Sequence, residues 1–262
     1  MALTIAVLSQ KGGTGKTTLT RSLADVFTRI GLEVLAVDSD PQGNLSDYFD
    51  TDPGAHPTLG EVLAGNAKAM DAIHGDVIPA NLGLAEAELI LSGKMGRELT
   101  LRNALREPKR RYDVILLDCP PTLGLLTVNA LCAADRAILS TEAEYFSLQG
   151  VEQAIEVINL ARESLNSELA LLGIVLNIAD MRTVHARQTL QQLKRHFGDQ
   201  VFDTVIRRSV AYAESAERAR PIVEYRPDLG LDYIELAHAV FERLDMGERV
   251  DRVDSLRKEI AA

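Results

Sequence analysis

A glycine-rich loop between an apolar run and an amphipathic run constrains this chain more than any other feature. The apolar run is "LTIAVLS" (3–9), the loop lies within "SQKGGTGKTT" (9–18), and "KTTLTRSLADVFTRI" (16–30) has helical spacing of apolar residues. A strand followed by a glycine loop that opens a helix is the context of a phosphate-binding loop. Glycines let backbone N–H groups approach phosphate oxygens without Cβ clashes, and the helix N-terminus adds partial positive charge.

This loop departs from the usual pattern G-x-x-x-x-G-K-[ST] at its first glycine. Counting back from Lys16 and Thr17, that glycine position holds Gln10, and a second lysine, Lys11, follows it. We expect the Lys16 side chain to reach the β- and γ-phosphates and the Thr17 hydroxyl to ligate Mg²⁺. The residues predicted to cradle phosphate are Gly12, Gly13, Thr14, Gly15, Lys16, Thr17 and Thr18.

Aspartates follow two further strand-like runs. "VLAVDSDPQGN" places Asp38 and Asp40 after one run, and "DVILLDCPP" places Asp118 after another. Parallel sheets bind ligands at the carboxyl ends of their strands, so Asp118 has the position of a carboxylate held near Mg²⁺ through water. The alternative is that these aspartates only begin turns before prolines, and this alternative is stronger for Asp38 and Asp40 considered alone.

The order of apolar and amphipathic runs predicts the fold class. Strands are expected at 3–9, 33–38, 113–118, 136–141, 169–177 and 201–206, and helices at 16–30, 97–107, 146–165, 183–197 and 231–245. Region 50–95 is expected to hold short helices and connections. This alternation predicts an α/β, single-domain P-loop NTPase with a mostly parallel twisted sheet flanked by helices on both faces. The predicted ATPase domain spans 1–246, followed by a charged tail or helix at 247–262.

Composition favours one globular domain without a membrane span. The chain has 262 residues, of which 46% are hydrophobic and 25% charged, and it contains no run of 18 apolar residues. Because the apolar start is short and runs into the glycine loop, a buried strand is favoured over a signal peptide. Cys119 and Cys132 lack metal-ligand spacing and indicate reduced thiols in a cytosolic protein.

The net charge of −10 argues against a protein that coats nucleic acid uniformly. Charge is uneven, however. The segment 180–220 contains eight basic and five acidic residues, so it carries +3 and the rest of the chain −13.

Taken together, the motifs resemble those of the ParA/MinD family of deviant Walker-A ATPases. They are K-G-G-x-G-K-T-T (11–18), D-x-D-P-Q-G-N (38–44) and D-C-P-P (118–121). "DCPPTLGLLTVNAL" and "EYFSLQG" are similar to the ParA branch, and the resemblance runs from about Leu3 to about Arg243. Any one of these motifs alone would be weak, whereas the combination is highly specific.

This resemblance implies a dimer in which two subunits sandwich two ATP molecules. The first lysine of the motif, Lys11, would cross to the partner's nucleotide and act there like an arginine finger. Asp40 would position or activate the attacking water, and Asp38 would support the metal site. The implied catalytic set is Lys11, Lys16 and Asp40, the metal set is Thr17, Asp38, Asp40 and Asp118, and Asn177 and Arg208 would lie near the base.

ParA-type proteins of this short kind bind DNA without sequence preference through a basic surface that forms in the ATP dimer. Such phosphate contacts need only Lys or Arg on one face. The candidates are Arg182, Arg187, Lys194, Arg195, Arg208, Arg218 and Arg220. The sequence departs from the family in "IRRSVAYAESAER" (206–218), where Ala211 replaces a second DNA-contacting arginine. The alternative reading is a solvated surface with ordinary arginines.

The expected function is therefore that of a cytoplasmic, nucleoid-associated ParA-type ATPase. It would dimerise on Mg-ATP, bind DNA non-specifically and position a DNA or cellular cargo, with slow hydrolysis stimulated by a ParB-like or cargo-adaptor protein. A MinD-like membrane-cycling ATPase is the alternative. Residues 248–262 contain no aromatic residue and mix acidic with basic side chains, so no membrane partner is expected. A cluster-carrying ATPase would need a Cys-x-x-Cys pair, which is absent.

Overall fold

The computed structural model describes residues 1–144 and 147–261. Within them, one seven-stranded sheet has the order β3-β2-β4-β1-β5-β6-β7, and all pairs of neighbouring strands are parallel. The strands are β1 (Leu3–Leu8), β2 (Val34–Asp38), β3 (Val77–Ile78), β4 (Val114–Asp118), β5 (Arg136–Thr141), β6 (Ala170–Ala179) and β7 (Val201–Arg207).

Helices connect these strands. They are α1 (Lys16–Arg29), α2 (Asn44–Tyr48), α3 (Leu59–Ala64), α4 (Gly83–Ser92), α5 (Thr100–Ala104), α6 (Pro108–Arg111), α7 (Leu125–Ala133), α8 (Ser147–Ser164), α9 (Val184–Phe197), α10 (Ala211–Glu217), α11 (Ile222–Tyr225), α12 (Pro227–Arg243) and α13 (Gly247–Ala261). None of them, within the described ranges, is long and apolar enough to cross a bilayer.

The sheet carries a hydrophobic core on each face. In β1, Ala6 and Leu8 belong to the core covered by α3–α5 and α7–α9, whereas Ile5 and Val7 belong to the core covered by α1 and α11–α13. Every residue of β2 and β4 is buried. This double coverage explains why the strands lack polar alternation, and it confirms the predicted α/β class with helices on both faces.

All six predicted strands are present within one or two residues. The seventh, β3, was not predicted because two residues leave no readable pattern. The predicted helix 97–107 is a 3₁₀ turn (Arg97–Leu99) followed by the short α5, and α7 was not expected within "TLGLLTVNAL". Tyr145 and Phe146 of the "EYFSLQG" motif lie outside the described residues.

Residues 247–261 form α13, which packs on α12. Val253 is fully buried and Leu256 nearly so. His238 of α12 lies 3.5 Å from the Asp254 carboxylate, and Arg257 donates to Glu235 at 3.1 Å. The domain boundary at residue 246 stays a prediction.

Candidate nucleotide and magnesium site

Loop residues 9–15 leave the carboxyl end of β1, the central strand between β4 and β5. Gly13 and Gly15 have φ values of 81° and 74°, in the left-handed region that favours glycine. A Cβ atom on Gly15 would lie 2.7 Å from the Asn177 side-chain nitrogen, so only glycine fits there. Helix α1 begins at the next residue, and its free N–H groups face the space above the loop.

Side chains from β5 and β6 fix the path of this loop. The Asn177 side-chain amide donates to the carbonyl of Thr14 at 3.0 Å and to that of Gly15 at 3.3 Å. Ser140 Oγ donates to the same Thr14 carbonyl at 2.7 Å. Asn177 thus supports the loop in this structure, and its predicted contact with the base stays a prediction. Ser140 was missed, because nothing local in the sequence marks its contact with the loop.

The two lysines of the loop lie in different surroundings. Lys16 is 6% exposed, and its Nζ donates to the Lys11 carbonyl at 3.3 Å. The Lys11 side chain is 47% exposed, and its Nζ lies 2.8 Å from the Glu144 carboxylate, whose pKa it lowers. Lys16 therefore lies inside its own loop, whereas Lys11 lies on the molecular surface.

Asp38 and Asp118 meet beside the start of α1. They are direct register partners at the ends of β2 and β4. Thr17 Oγ1 donates to Asp118 Oδ2 at 2.7 Å, and Thr20 Oγ1 lies 3.3 Å from Asp118 Oδ1. Thr20, one helical turn below Thr17, was not predicted. The structure thus brings together three of the four predicted metal residues, Thr17, Asp38 and Asp118.

Burial controls the ionisation of these two carboxyl groups. It raises the pKa of Asp118 to about 7, with Asp38 adding repulsion and the Thr17 hydroxyl opposing. It raises the pKa of Asp38 to about 6, against hydrogen bonds from the Ser46 hydroxyl and backbone. Two buried carboxyl groups beside a threonine hydroxyl form a hard oxygen donor set that is short of positive charge, which fits Mg²⁺.

Asp40 lies at the mouth of this cluster. It is partly exposed, its backbone N–H donates to Asp38 Oδ1 at 3.1 Å, and its Oδ1 accepts from the Gln42 N–H at 3.0 Å. The carboxylate is therefore held on the solvent side of the buried pair.

Two of the predicted basic residues follow the carboxyl ends of strands, at the same end of the sheet as the phosphate loop. Arg182 follows β6, and Arg208 follows β7 with its N–H donating to the Ala179 carbonyl at 3.1 Å. The Arg182 side chain is 91% exposed and binds both oxygens of Asp180 at 2.8 and 2.9 Å. Exposed pairs of this kind contribute little stability, so the arginine can exchange its partner for a phosphate.

The remaining predicted basic residues are exposed, and most of them contact carbonyl, carboxylate or aromatic groups of this protein. On α9, Arg187 donates to two backbone carbonyls and Lys194 pairs with Asp203, while Arg195 is exposed. Beyond α10, Arg220 pairs with Glu224 at 2.7 Å, and the Arg218 guanidinium lies 5.3 Å from the ring centre of Tyr225. Arg187, Lys194 and Arg195 thus lie on the predicted helix, whereas Arg218 and Arg220 lie at the turn after α10.

Comparison with known proteins gives matches over nearly the whole chain. A family profile described as an AAA domain matches residues 2–171. The sporulation initiation inhibitor protein Soj of Bacillus subtilis is 38% identical over 249 residues, which cover 92% of this chain and 98% of that protein. The chromosome partitioning protein ParA of Caulobacter vibrioides is 37% identical over 252 residues, which cover 91% and 94%.

Solved structures with the same fold contain nucleotide. Cobyrinic acid a,c-diamide synthase from Mycobacterium smegmatis with bound ADP and magnesium has a TM-score of 0.82 at 33% identity and covers 94% of this chain and 97% of its own. The septum site-determining protein MinD from Pyrococcus horikoshii complexed with Mg-ADP has a TM-score of 0.74 at 30% identity, covering 92% and 96%.

Proposed function

The chain belongs to the ParA/MinD family of ATPases, among its Soj-like members, and from this premise we propose the cycle by which it works as a ParA-type positioning ATPase. A monomer binds Mg-ATP, two monomers close over the nucleotides, and the dimer attaches to DNA without reading its sequence. A partner protein then stimulates slow hydrolysis and releases the dimer. The resulting nucleoid-associated gradient moves a DNA or cellular cargo.

Nucleotide binding uses the loop and its aspartates. Lys16 faces the phosphates of its own subunit, supported by backbone N–H groups from Gly12 to Thr18. Mg²⁺, when bound, would neutralise phosphate charge. Thr17 and Asp118 would hold the ion, and Asp38 would support them. Asp40 positions the attacking water, because it is the aspartate on the solvent side of the cluster.

The single observation that carries the dimer step is the contrast between the two lysines. A buried Lys16 already serves the phosphate loop, and a surface Lys11 lies on its outer edge beside Glu144. A second cation at this position can contact a γ-phosphate when a second subunit brings its own nucleotide. That contact would stabilise charge in trans, as an arginine finger does. ATP thereby acts as the agent of dimerisation.

DNA attachment uses the basic residues around the ends of β6 and β7. Arg182 and Arg208 lead this set, and Arg187, Lys194, Arg195, Arg218 and Arg220 extend it. All are exposed, and duplex phosphates can replace the carboxylates that now pair with Arg182, Lys194 and Arg220. Because a dimer doubles the number of phosphate contacts, affinity rises when ATP closes the dimer.

A salt titration of DNA binding tests this proposal. Affinity for a random duplex is measured with Mg-ATP, with Mg-ADP and without nucleotide. We expect tight binding only with ATP and a steep fall of affinity with salt, since each neutralised phosphate releases counterions. Equal affinity in all three states, or no dependence on salt, would contradict the proposal.

MinD-type membrane cycling is the competing function, because a MinD structure is a neighbour at 30% identity. Burial of Val253 and Leu256 against the domain supports the DNA-bound cycle over an anchor at this segment. Co-sedimentation with anionic liposomes in Mg-ATP separates the two. Recovery of the protein with liposomes, together with failure to bind DNA, would favour the MinD-type cycle.

A further inference from the structure

A buried pair of hydroxyl groups joins the nucleotide side of the molecule to the turn after α10. Tyr48, the last residue of α2, contacts Ser215 Oγ on α10 through its hydroxyl, although the two are 167 positions apart. Tyr48 is 1% exposed and Ser215 is fully buried. The Ser215 hydroxyl also donates to the Arg220 carbonyl. Because a serine hydroxyl has one hydrogen, Tyr48 must be the donor in the contact between them.

Helix α2 also contacts the predicted metal site, through Ser46. It starts four residues after Asp40, and Ser46 donates to Asp38 Oδ2 from its backbone at 2.9 Å and from its hydroxyl at 2.8 Å. Ser46 and Tyr48 belong to the same helix, which has only five residues. A displacement of Asp38 that accompanies metal binding therefore acts on the helix that carries Tyr48.

On the other side, the hydroxyl pair holds a strained turn. Ala219 has φ of 48°, a left-handed conformation that is unfavourable for a residue with a Cβ atom. The turn is closed by two backbone hydrogen bonds of 3.0 Å, from Ala219 N to Ala216 O and from Arg220 N to Ser215 O. Arg218 and Arg220 flank Ala219, so the position of the Ser215 hydroxyl bears on where both guanidinium groups lie.

We infer that Tyr48 and Ser215 are positioning residues that couple the nucleotide loop to the basic turn 218–220. The inference rests on the proposed function, since it gives a reason for DNA affinity to follow the nucleotide. The coupling runs through contiguous contacts: Asp38 to Ser46, along α2 to Tyr48, to Ser215 and to Arg220. Neither hydroxyl contacts the phosphate loop or the predicted metal residues in the contacts described here.

Tyr48→Phe removes the coupling hydroxyl while keeping the buried ring, and Tyr225→Phe is the matched control. Tyr225 also lies beside this turn, but its hydroxyl donates to the exposed Glu214 at 2.8 Å and not to a residue of α2. The first readout is hydrogen–deuterium exchange of amides 211–220 with Mg-ATP and with Mg-ADP. The second is the ratio of DNA affinities in the same two states.

We expect wild type and Tyr225→Phe to show a nucleotide-dependent difference in exchange at 211–220. Tyr48→Phe should reduce that difference, and the affinity ratio, about fivefold or more, with Mg-ATP affinity and basal hydrolysis within about twofold of wild type. Ser215→Ala should act in the same direction. A purely structural role would instead change exchange equally in both states.

The inference is overturned if Tyr48→Phe keeps the wild-type difference in exchange, or if wild type shows none. Failure of the proposed function is a separate result: wild-type DNA affinity would not depend on ATP. The exchange readout still decides the coupling in that case, because it requires no DNA.

Discussion

At the scale of single residues, the different surroundings of two lysines in one loop predict different effects of replacing them. Replacing buried Lys16 removes a cation from the phosphate cradle, whereas replacing surface Lys11 leaves that cradle intact. We expect Lys16→Ala to weaken Mg-ATP binding at least about 100-fold, since charge-assisted contacts to phosphate are strong. Titration with a fluorescent ATP analogue measures this loss, and near wild-type affinity would refute the site assignment.

Lys11→Ala is the matched variant for the same loop. It should bind Mg-ATP within about threefold of wild type, because its side chain lies outside the loop. It should nevertheless stay monomeric in ATP when mass is measured by light scattering. A Lys11→Ala dimer of wild-type stability would remove the basis for contact in trans.

Replacing Asp40 is expected to slow ATP hydrolysis more than it weakens Mg-ATP binding. Its carboxylate is on the solvent side of the buried aspartates and makes its side-chain contact with the Gln42 N–H. Asp40→Ala should therefore bind Mg-ATP and dimerise, while the rate of phosphate release falls about 100-fold or more through loss of water positioning. A monomeric variant with normal turnover would contradict this role.

Asp118 makes stability depend on pH in the absence of metal. Its pKa is about 7 in the folded protein against an ordinary 3.8, so the unfolded chain loses this proton first as pH rises. The folded state is penalised increasingly from about pH 4 to about pH 7, and the penalty stays above that range. Without Mg²⁺, Asp118→Asn should raise the unfolding free energy on the order of 2 kcal/mol at pH 8 and little at pH 4.

Denaturant unfolding in EDTA at both pH values measures that difference. Asp113→Asn is the control, because Asp113 immediately precedes the same strand, at the end opposite Asp118, and is exposed. An equal effect of Asp118→Asn at both pH values would mean that burial does not hold this carboxyl group protonated.

At the scale of elements, the sequence predicted those whose pattern is local. Strands β1, β2 and β4 are covered on both faces, so their continuous apolar runs predicted them correctly. The glycine loop predicted the start of α1. Helix α7 was hidden because it is apolar nearly all round, and β3 because it is too short.

The contacts that support the loop could not be predicted from the sequence, because they join residues that are distant along the chain. Ser140 contacts Thr14 across 126 positions, and Asn177 contacts it across 163. Each contact depends on the sheet order, in which β5 lies next to β1 and β6 lies next to β5. Motifs thus predicted which groups face the nucleotide, while topology determined which groups hold the loop in place.

Gly15 is the position where the loop and its supports meet most tightly. An alanine there takes a left-handed φ of 74° and puts a Cβ atom 2.7 Å from an Asn177 nitrogen that is fixed by hydrogen bonds. We expect Gly15→Ala to destabilise the fold by about 2 kcal/mol and to abolish Mg-ATP binding. Gly247→Ala, where a Cβ meets nothing within 4 Å, is the control for thermal unfolding. Equal melting temperatures for both variants would contradict the crowding argument.

At the scale of the whole molecule, an acidic protein places two exposed arginines at one edge of its sheet. The net charge is −10, yet Arg182 and Arg208 both follow strands at the edge that carries the phosphate loop. A nucleotide and a DNA surface near the same edge can be coupled through short elements such as α2 and α10. Weak, salt-sensitive contacts would suit the proposed cycle, in which the dimer releases DNA after hydrolysis.

Reversing both arginines tests whether that edge is the DNA surface. Arg182→Glu with Arg208→Glu should weaken ATP-dependent DNA binding at least tenfold at about 0.1 M salt and flatten its salt dependence, with ATP dimerisation retained. The matched control is Arg110→Glu with Arg111→Glu, which changes net charge equally at exposed positions just before β4, the opposite edge of the sheet. If both double variants lose DNA equally, net charge and not this surface governs binding. If neither loses DNA, the contacts lie elsewhere on the dimer.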